Sequence, residues 1–288
     1  MEKKNYAAEA IANTIIAMLD KGVAPWKMPW KNGGAMSING NYYRGINAIL
    51  LSWQNYNDNR WLTFNKVKQL GGKVKKGEKS LPVVFWQFIV KNEKDENGDT
   101  IAKKIPFLRL YNVFNVEQCE GLKLPENKVF NAENNSIEEA ENIWNNYAGK
   151  PAILKHKSQA SYIPSIDVIN MPEMKQFNSS EEYYSTLFHE AVHSTGHKSR
   201  LDRLTSDAFG SEKYGKEELV AEIGSAILCQ SVGITQTLEN SAAYCKSWCN
   251  AIKAMPATAI ISAASQAQKA VDLILGIKFE AEAETETE

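Results

Sequence analysis

The stretch TLFHEAVHSTGH, Thr186 to His197, holds three of the four histidines of a 288-residue chain. His189 and His193 are four residues apart, so on a helix both imidazoles leave one face and can reach a single ion. Glu190 lies between them, completing H-E-x-x-H. In that pattern the ion polarises a carbonyl and acidifies a water, and the glutamate takes the proton. Catalytic zinc uses three protein ligands and keeps one position open, so a further donor must come from elsewhere in the chain.

His197 is the nearest candidate. The long metzincin pattern, however, needs histidine at position 199, where this chain has Ser199, although Gly196 matches. His197 also lies beyond the helix-ending Gly196, so its reading is a residue that shapes the site, with ligation as the alternative. The segment KEELVAEIGSAIL offers Glu218 and Glu222 on one helical face, beside an apolar stripe of Leu219, Ile223, Ala226 and Ile227. Carboxylates beside a buried stripe are costly unless a cation compensates them. Glu218 resembles the zinc-binding glutamate of the gluzincin E-x-x-x-D helix. It is assigned as ligand and Glu222 as the carboxylate that orients a ligand, with the reverse as alternative. Tyr214, just before that helix, is a candidate donor to a developing oxyanion. The segment YIPSIDVINMP is a candidate edge strand for an extended peptide.

The elements that must carry these residues follow from periodicity. Ala7, Ala10, Ile11, Ile15, Met18 and Leu19 predict an amphipathic helix stopped by Gly22. A Pro- and Gly-rich loop follows, then helices over 45 to 57 and 63 to 70. Two strands, LPVVFWQFIV and TIAKKIPFLRLYNVF, are predicted to form a hairpin with Asn97-Gly98 at its tip. Residues 126 to 135 are polar and aperiodic and predict a linker. Beyond it come a helix from Ser136, strands in 151 to 158 and 161 to 172, and the histidine helix closed by Gly196. Helices over 216 to 230, 237 to 255 and 257 to 275 and an acidic tail, 280 to 288, complete the chain. The expected fold is α+β in two domains, 1 to 125 and 136 to 279.

With 43% apolar and 23% charged residues the chain is neither disordered nor fibrous. It has no apolar run of membrane-spanning length and no cleavable signal pattern, so a cytoplasmic monomer is expected. Cys119, Cys229, Cys245 and Cys249 do not form a secreted disulfide framework and are read as reduced. The net charge of −1 hides an asymmetry. Residues 1 to 125 hold 19 Lys and Arg against 11 Asp and Glu, and the remainder 14 against 23. The basic part also carries five of the seven tryptophans. Trp26, Trp30, Tyr42 and Tyr43 are interleaved with Lys27, Lys31 and Arg44, and Lys73, Lys75, Lys76 and Lys79 follow. Cations for phosphates and aromatic faces for bases are the combination that binds single-stranded nucleic acid; a small core with a solvated face is the alternative.

APWKMPW, NYYRGINAILL, GGKVKKGEKS and YNVFNVEQCEGL resemble the N-terminal domain of ArdC-type antirestriction proteins, also found in TraC-like plasmid primases. YYSTLFHEAVHSTGHKSRLDR, EELVAEIGSAIL and AASQAQKAVDLIL resemble the zincin-like metallopeptidase domain that follows it there. The resemblance spans nearly the whole chain. It implies a single-stranded-DNA-binding domain joined to a metallopeptidase fold, encoded on conjugative plasmids and protecting incoming DNA from restriction. It further implies zinc, or another divalent metal such as manganese, on His189, His193 and a glutamate of the Glu218 helix, with Glu190 as general base. The expected function is an antirestriction protein on single-stranded DNA with a zinc-dependent peptidase site and a protein or peptide substrate. The alternatives are a DNA-binding shield with a structural metal, and a protease that clears proteins from DNA. Ser194 departs from the family, many members of which carry a bulky aromatic there; that bears on the shape of the cleft.

Overall fold

The computed structural model describes residues 5–24, 26, 34–54, 56–94, 100–124, 136–155, 159–204, 212–234 and 242–277. Lys27, Trp30, Lys31, the expected tip at Asn97-Gly98, the 126–135 linker and the acidic tail lie outside them. The chain divides into two compact units. One comprises Met1–Pro25, Lys31–Phe130 and Asn240–Ile261, the other Trp26–Trp30, Asn131–Glu239 and Ser262–Glu288. The main break lies between Phe130 and Asn131, and Asn240–Ile261 cluster with the first unit.

In the first unit, helix α1 (Tyr6–Asp20) begins where the Asn5 side chain accepts the Ala8 N–H. Ala7, Ile11, Ile15, Met18 and Leu19 of the predicted stripe are buried, as is Ala8, while Ala10 is only half-buried. Helix α7 (Ala242–Ala254) packs on it, and the Cys249 thiol donates to Asp20 at 3.1 Å. A four-stranded sheet has the order β1 (Met36–Ser37), β2 (Arg60–Thr63), β5 (Thr100–Asn115) and β4 (Leu81–Lys94). Its core gathers Ala35, Leu51, Trp61, Val83 and Val113. Helix α2 spans Gly45–Ser52 rather than reaching 57, because the Asn- and Asp-rich sequence that follows favours turns. Helix α3 (Phe64–Gln69) is capped by Thr63 as predicted. A short ladder of β3 (Lys73–Val74) and β6 (Cys119–Glu120) lies beyond it.

The second unit contains α4 (Ser136–Asn146) and a three-stranded sheet. Its order is β7 (Ala152–Lys155), β9 (Val168–Met171), β8 (Ser161–Ile163), with β7 parallel and β8 antiparallel to β9. The single strand expected over 161 to 172 is thus two strands. Pro164 follows β8 directly, and Asp167 takes φ 52°, turning the chain back. Helix α5 (Ser180–Thr195) starts at the Ser179 cap and carries the histidines. Helix α6 (Glu212–Ser231) starts four residues earlier than expected. The division between units falls within α8 (Ala257–Leu275).

Helices α5 and α6 pack on each other through Leu187, Phe188, Ala191 and Val192 on one side and Leu219, Val220, Ile223 and Ala226 on the other, all buried. Gly224 sets how closely. A Cβ there would stand 2.8 Å from Val192 Cγ2, so any larger residue forces the helices apart. Gly196 is also a matter of space. Its φ of −77° is open to any residue, but a Cβ would meet Leu204 Cγ at 2.7 Å. Among the described residues no helix is long and apolar enough to cross a membrane, and all four cysteines are free and buried.

Candidate metal centre

The close approach of α5 and α6 brings His189, His193 and Glu218 together. One ligand atom from each lies within 4.8 Å of the others. The two imidazole Nε2 atoms are 3.2 Å apart, and Glu218 oxygens stand 3.7 Å from that of His189 and 3.6 Å from that of His193. Donors held at zinc-ligand distances on a tetrahedron are about 3.4 Å apart. The spacing therefore fits one small divalent cation, and three nitrogen and oxygen donors leave a fourth position for a reacting group.

Glu190 projects from the same helix and is buried, 8% exposed. Its Oε2 accepts the backbone N–H of Tyr162 at 2.7 Å. Tyr162 lies on β8, an edge strand of its sheet, so the carboxylate is fastened to the strand beside which a substrate backbone would run.

The carboxylate that orients a ligand histidine is Glu217, which sequence reasoning missed. Its Oε1 lies 3.2 Å from His193 Nδ1. Arg203 grips the same carboxylate through Nε at 2.7 Å and a terminal nitrogen at 2.8 Å, and also donates to Thr195 Oγ1 and the Val192 carbonyl. Burial opposes ionisation of Glu217, yet Arg203 and His193 outweigh it and hold its pKa below the usual carboxylate range. Fixing Nδ1 in this way leaves Nε2 for metal. Glu222, the expected orienter, bears on His189 through its charge. Burial works against the His189 cation, but the Glu218 hydrogen bond and the charges of Glu222 and Glu190 outweigh it and raise the pKa. Arg203, at the end of KSRLDR, lies 14 residues before Glu217, and nothing in the sequence pairs the two. Glu217 itself sits about 100° around the helix from Glu218, and only the crossing of α5 over α6 shows that both sides of His193 are served.

His197 stands apart from this group. Its Nδ1 is 2.7 Å from Ser199 Oγ and 4.0 Å from Asp167 Oδ2. It borders a network in which Arg200 pairs with Asp167, donates to the Ser194 and Gly149 carbonyls, and Tyr162 donates its hydroxyl to Asp167 at 2.8 Å. The network ties the β8–β9 turn to the end of α5, and so holds Tyr162 against Glu190. Ser194, where a larger aromatic was expected from the family, is fully buried, with its hydroxyl 3.2 Å from that of Tyr147. Tyr147 thus fills that space from another helix end. Tyr214 falls in the first turn of α6; its side chain lies outside the described residues.

Comparison with known proteins places these features in a family. Residues 5–114 match the N-terminal domain of anti-restriction factor ArdC, and residues 138–266 match a zincin-like metallopeptidase model. The chain is 38% identical to two DNA primases TraC of Escherichia coli over 96% of its own length, but spans only 28% and 20% of theirs. It is 34% identical to protein y4eC of Sinorhizobium fredii, covering 90% of that protein. The metal-free crystal structure of the antirestriction protein ArdC from plasmid R388 superposes with a TM-score of 0.72 at 37% identity, covering 94% of this chain and 97% of that one. The Mn(II)-bound structure of the same protein gives 0.74 at 36%. The chain belongs to the ArdC family.

Within the ArdC N-terminal region the aromatic candidates separate. Trp26 is fully buried, so its face cannot stack on a base, and the expectation that it binds DNA is withdrawn. Tyr43 is half-buried against Phe85 and the sheet core. Tyr42 remains 54% exposed, and Arg44 is half-buried at the start of α2. Lys73, Lys75, Lys76 and Lys79 are exposed around β3; Lys73 pairs with Glu120 at 3.1 Å, and Lys75 donates to the Glu117 carbonyl. Interleaved aromatics and cations in the sequence do not reveal which rings the fold has already used.

Proposed function

We propose that this ArdC-family chain is an antirestriction protein of a mobile element that binds single-stranded DNA and carries a divalent-metal peptidase site, with zinc as its expected metal. The observation that carries the proposal is the His189–His193–Glu218 group with Glu190 beside it, in a chain that matches a solved ArdC over 97% of that protein. A divalent cation held by those three donors would polarise a peptide carbonyl and make a water acidic. Glu190, fixed by the Tyr162 N–H, accepts the water proton on its free carboxylate edge and delivers it to the departing amine nitrogen. Glu217 and Arg203 hold the His193 ring in register throughout, and the β8 edge aligns the substrate backbone. The half-buried setting of these side chains limits competition from bulk water.

The test is metal analysis, peptide cleavage and single-stranded DNA binding on one purified sample, wild type and Glu190→Ala. The proposal expects bound metal and DNA affinity in both and cleavage only in the wild type. A wild type that holds metal and cleaves nothing leaves a DNA-binding shield. If protection from restriction persists unchanged in Glu190→Ala, proteolysis is not the protective step.

A further inference from the structure

The hairpin of β4 and β5 is far longer than the sheet needs. Its register runs from Leu81 opposite Val113 to Lys94 opposite Thr100, whereas β2 pairs with β5 only over Val113–Asn115. Beyond that base the two strands have no third strand among the described residues and form a ribbon. Val83 and Val84 at the root are buried, and Asn47 seals the outer edge there by bonding both the N–H and the carbonyl of Val84.

Further out the ribbon exposes what a stable fold covers. Trp86 is 54% exposed, Val90 57% and Leu110 38%. The three share one face, because Val84 lies opposite Leu110, Trp86 opposite Leu108 and Val90 opposite Lys104, all in one alternating set. Trp86 to Val90 spans about 14 Å. A two-stranded ribbon with an apolar stripe is marginal in water and signals a partner. The charge says which. The two strands hold five Lys and Arg, Lys91, Lys94, Lys103, Lys104 and Arg109, against Glu93 alone. By the same alternation Lys94 and Lys104 belong to the Trp86 face, and Lys91, Lys103 and Arg109 to the other. Arg109 is exposed and lies 5.0 Å over the Tyr111 ring, which leaves its guanidinium on the surface. A second copy would bring the same positive charge and repel. A polyanion with exposed flat apolar groups fits both features, and unstacked bases on a phosphate backbone are that ligand.

We infer that the Trp86 face of the β4–β5 ribbon is the platform on which a nucleic-acid single strand lies, with Trp86 stacking on a base and the cations of that face, Lys94 and Lys104, following the phosphates. The inference rests on the proposed DNA-binding function and moves its contacts away from Trp26. Duplex DNA keeps its bases stacked inside and offers Trp86 nothing.

The experiment is titration of the full chain into a labelled oligo(dT) strand and into a duplex, at several salt concentrations. Trp86→Ala is expected to weaken strand binding about 5- to 100-fold, with the salt slope unchanged, and Trp86→Phe to restore most of it. Lys94→Ala/Lys104→Ala, the two cations of the Trp86 face, is expected to reduce the slope of log affinity against log salt by about 1.4, at roughly 0.7 per phosphate contact. Because Trp86 is exposed, a melting midpoint equal to wild type certifies that the variants fold. If wild type binds the strand and all three variants bind it equally, the ribbon is not the platform, although the DNA-binding reading survives on Tyr42 and the β3 lysines. If wild type binds no strand, that reading itself fails. If Trp86→Ala instead dissolves a dimer of the wild type and leaves strand binding intact, a second copy is the occupant and the inference is overturned.

Discussion

Around His193 acids and bases answer one another: Arg203 grips Glu217, Glu217 holds one ring nitrogen, and Glu218 faces the other. On the β4–β5 ribbon the balance differs, with five Lys and Arg against one Glu in the two strands and Trp86 in solvent. The first region has its counter-charges built in and presents three donors to one cation. The second leaves its charges for a partner to neutralise. A half-buried site whose polar groups are paired in advance is organised for chemistry on something small. An exposed surface rich in cations is organised for capture of something long.

The sharpest way to test the first half is to remove the proton acceptor and nothing else. Glu190→Ala should lower peptide cleavage by about 10²- to 10⁴-fold while metal content stays that of wild type; loss of the metal as well would show that Glu190 is structural. Next, Glu217→Gln keeps an acceptor beside His193 but gives up the charge that Arg203 grips. Metal affinity, read by competition with a chelating dye, should fall about 10- to 100-fold, and Glu222→Gln should change it less. Equal losses would return Glu222 to the role first assigned to it. Gly224→Ala should cost roughly 1–3 kcal/mol by spreading α5 from α6, visible as a lower melting temperature, and should weaken metal binding as Glu218 retreats. An unchanged melting curve would mean that Val192 yields without moving the helix.

The smallest effect concerns pH. The Arg200 hydrogen bond, opposed by burial and aided by Tyr162, keeps the Asp167 pKa below its ordinary value. A carboxylate depressed in the folded state contributes stability that is fully present above its unfolded pKa, near 3.9, and lost as pH falls through the folded value. The stability gap between wild type and Asp167→Asn should therefore be constant above about pH 5 and close in more acidic solution. A gap that stays constant down to pH 3 would mean that the Arg200 pair adds nothing.

The same contrast explains what was legible in the sequence. Helix periodicity and caps placed α1, α3, α5 and α6, the H-E-x-x-H spacing put His189, Glu190 and His193 on one helix, and the i, i+4 spacing put Glu218 and Glu222 on another, because those relations lie within single helices; that Glu218 would meet the histidines came from its likeness to the gluzincin helix. Glu217 escaped because its role depends on the angle at which two helices cross. Trp26 was misjudged because burial is decided by distant neighbours, and a tryptophan beside lysines reads the same in a core as on a surface. The 161 to 172 strand was drawn unbroken because its turn residues, Pro164 and Asp167, sit among β-forming neighbours. Trp86 was placed correctly on a strand, but the length of the unsupported ribbon is a property of the whole sheet.

The pairing of α1 with α7 has a consequence for how the chain is made. Asp20 meets Cys249, 229 residues later in the sequence. At about 5–20 residues per second a ribosome needs roughly 10 to 50 seconds to deliver the second helix after the first. During that interval the apolar stripe of Ile11, Ile15 and Leu19 is without its native cover, while the entire α5–α6 hairpin has already emerged. The helix pair that carries His189, His193 and Glu218 is thus made before α7, but Ser262–Glu288 of its own unit follows α7, so neither unit is complete until the chain is nearly finished.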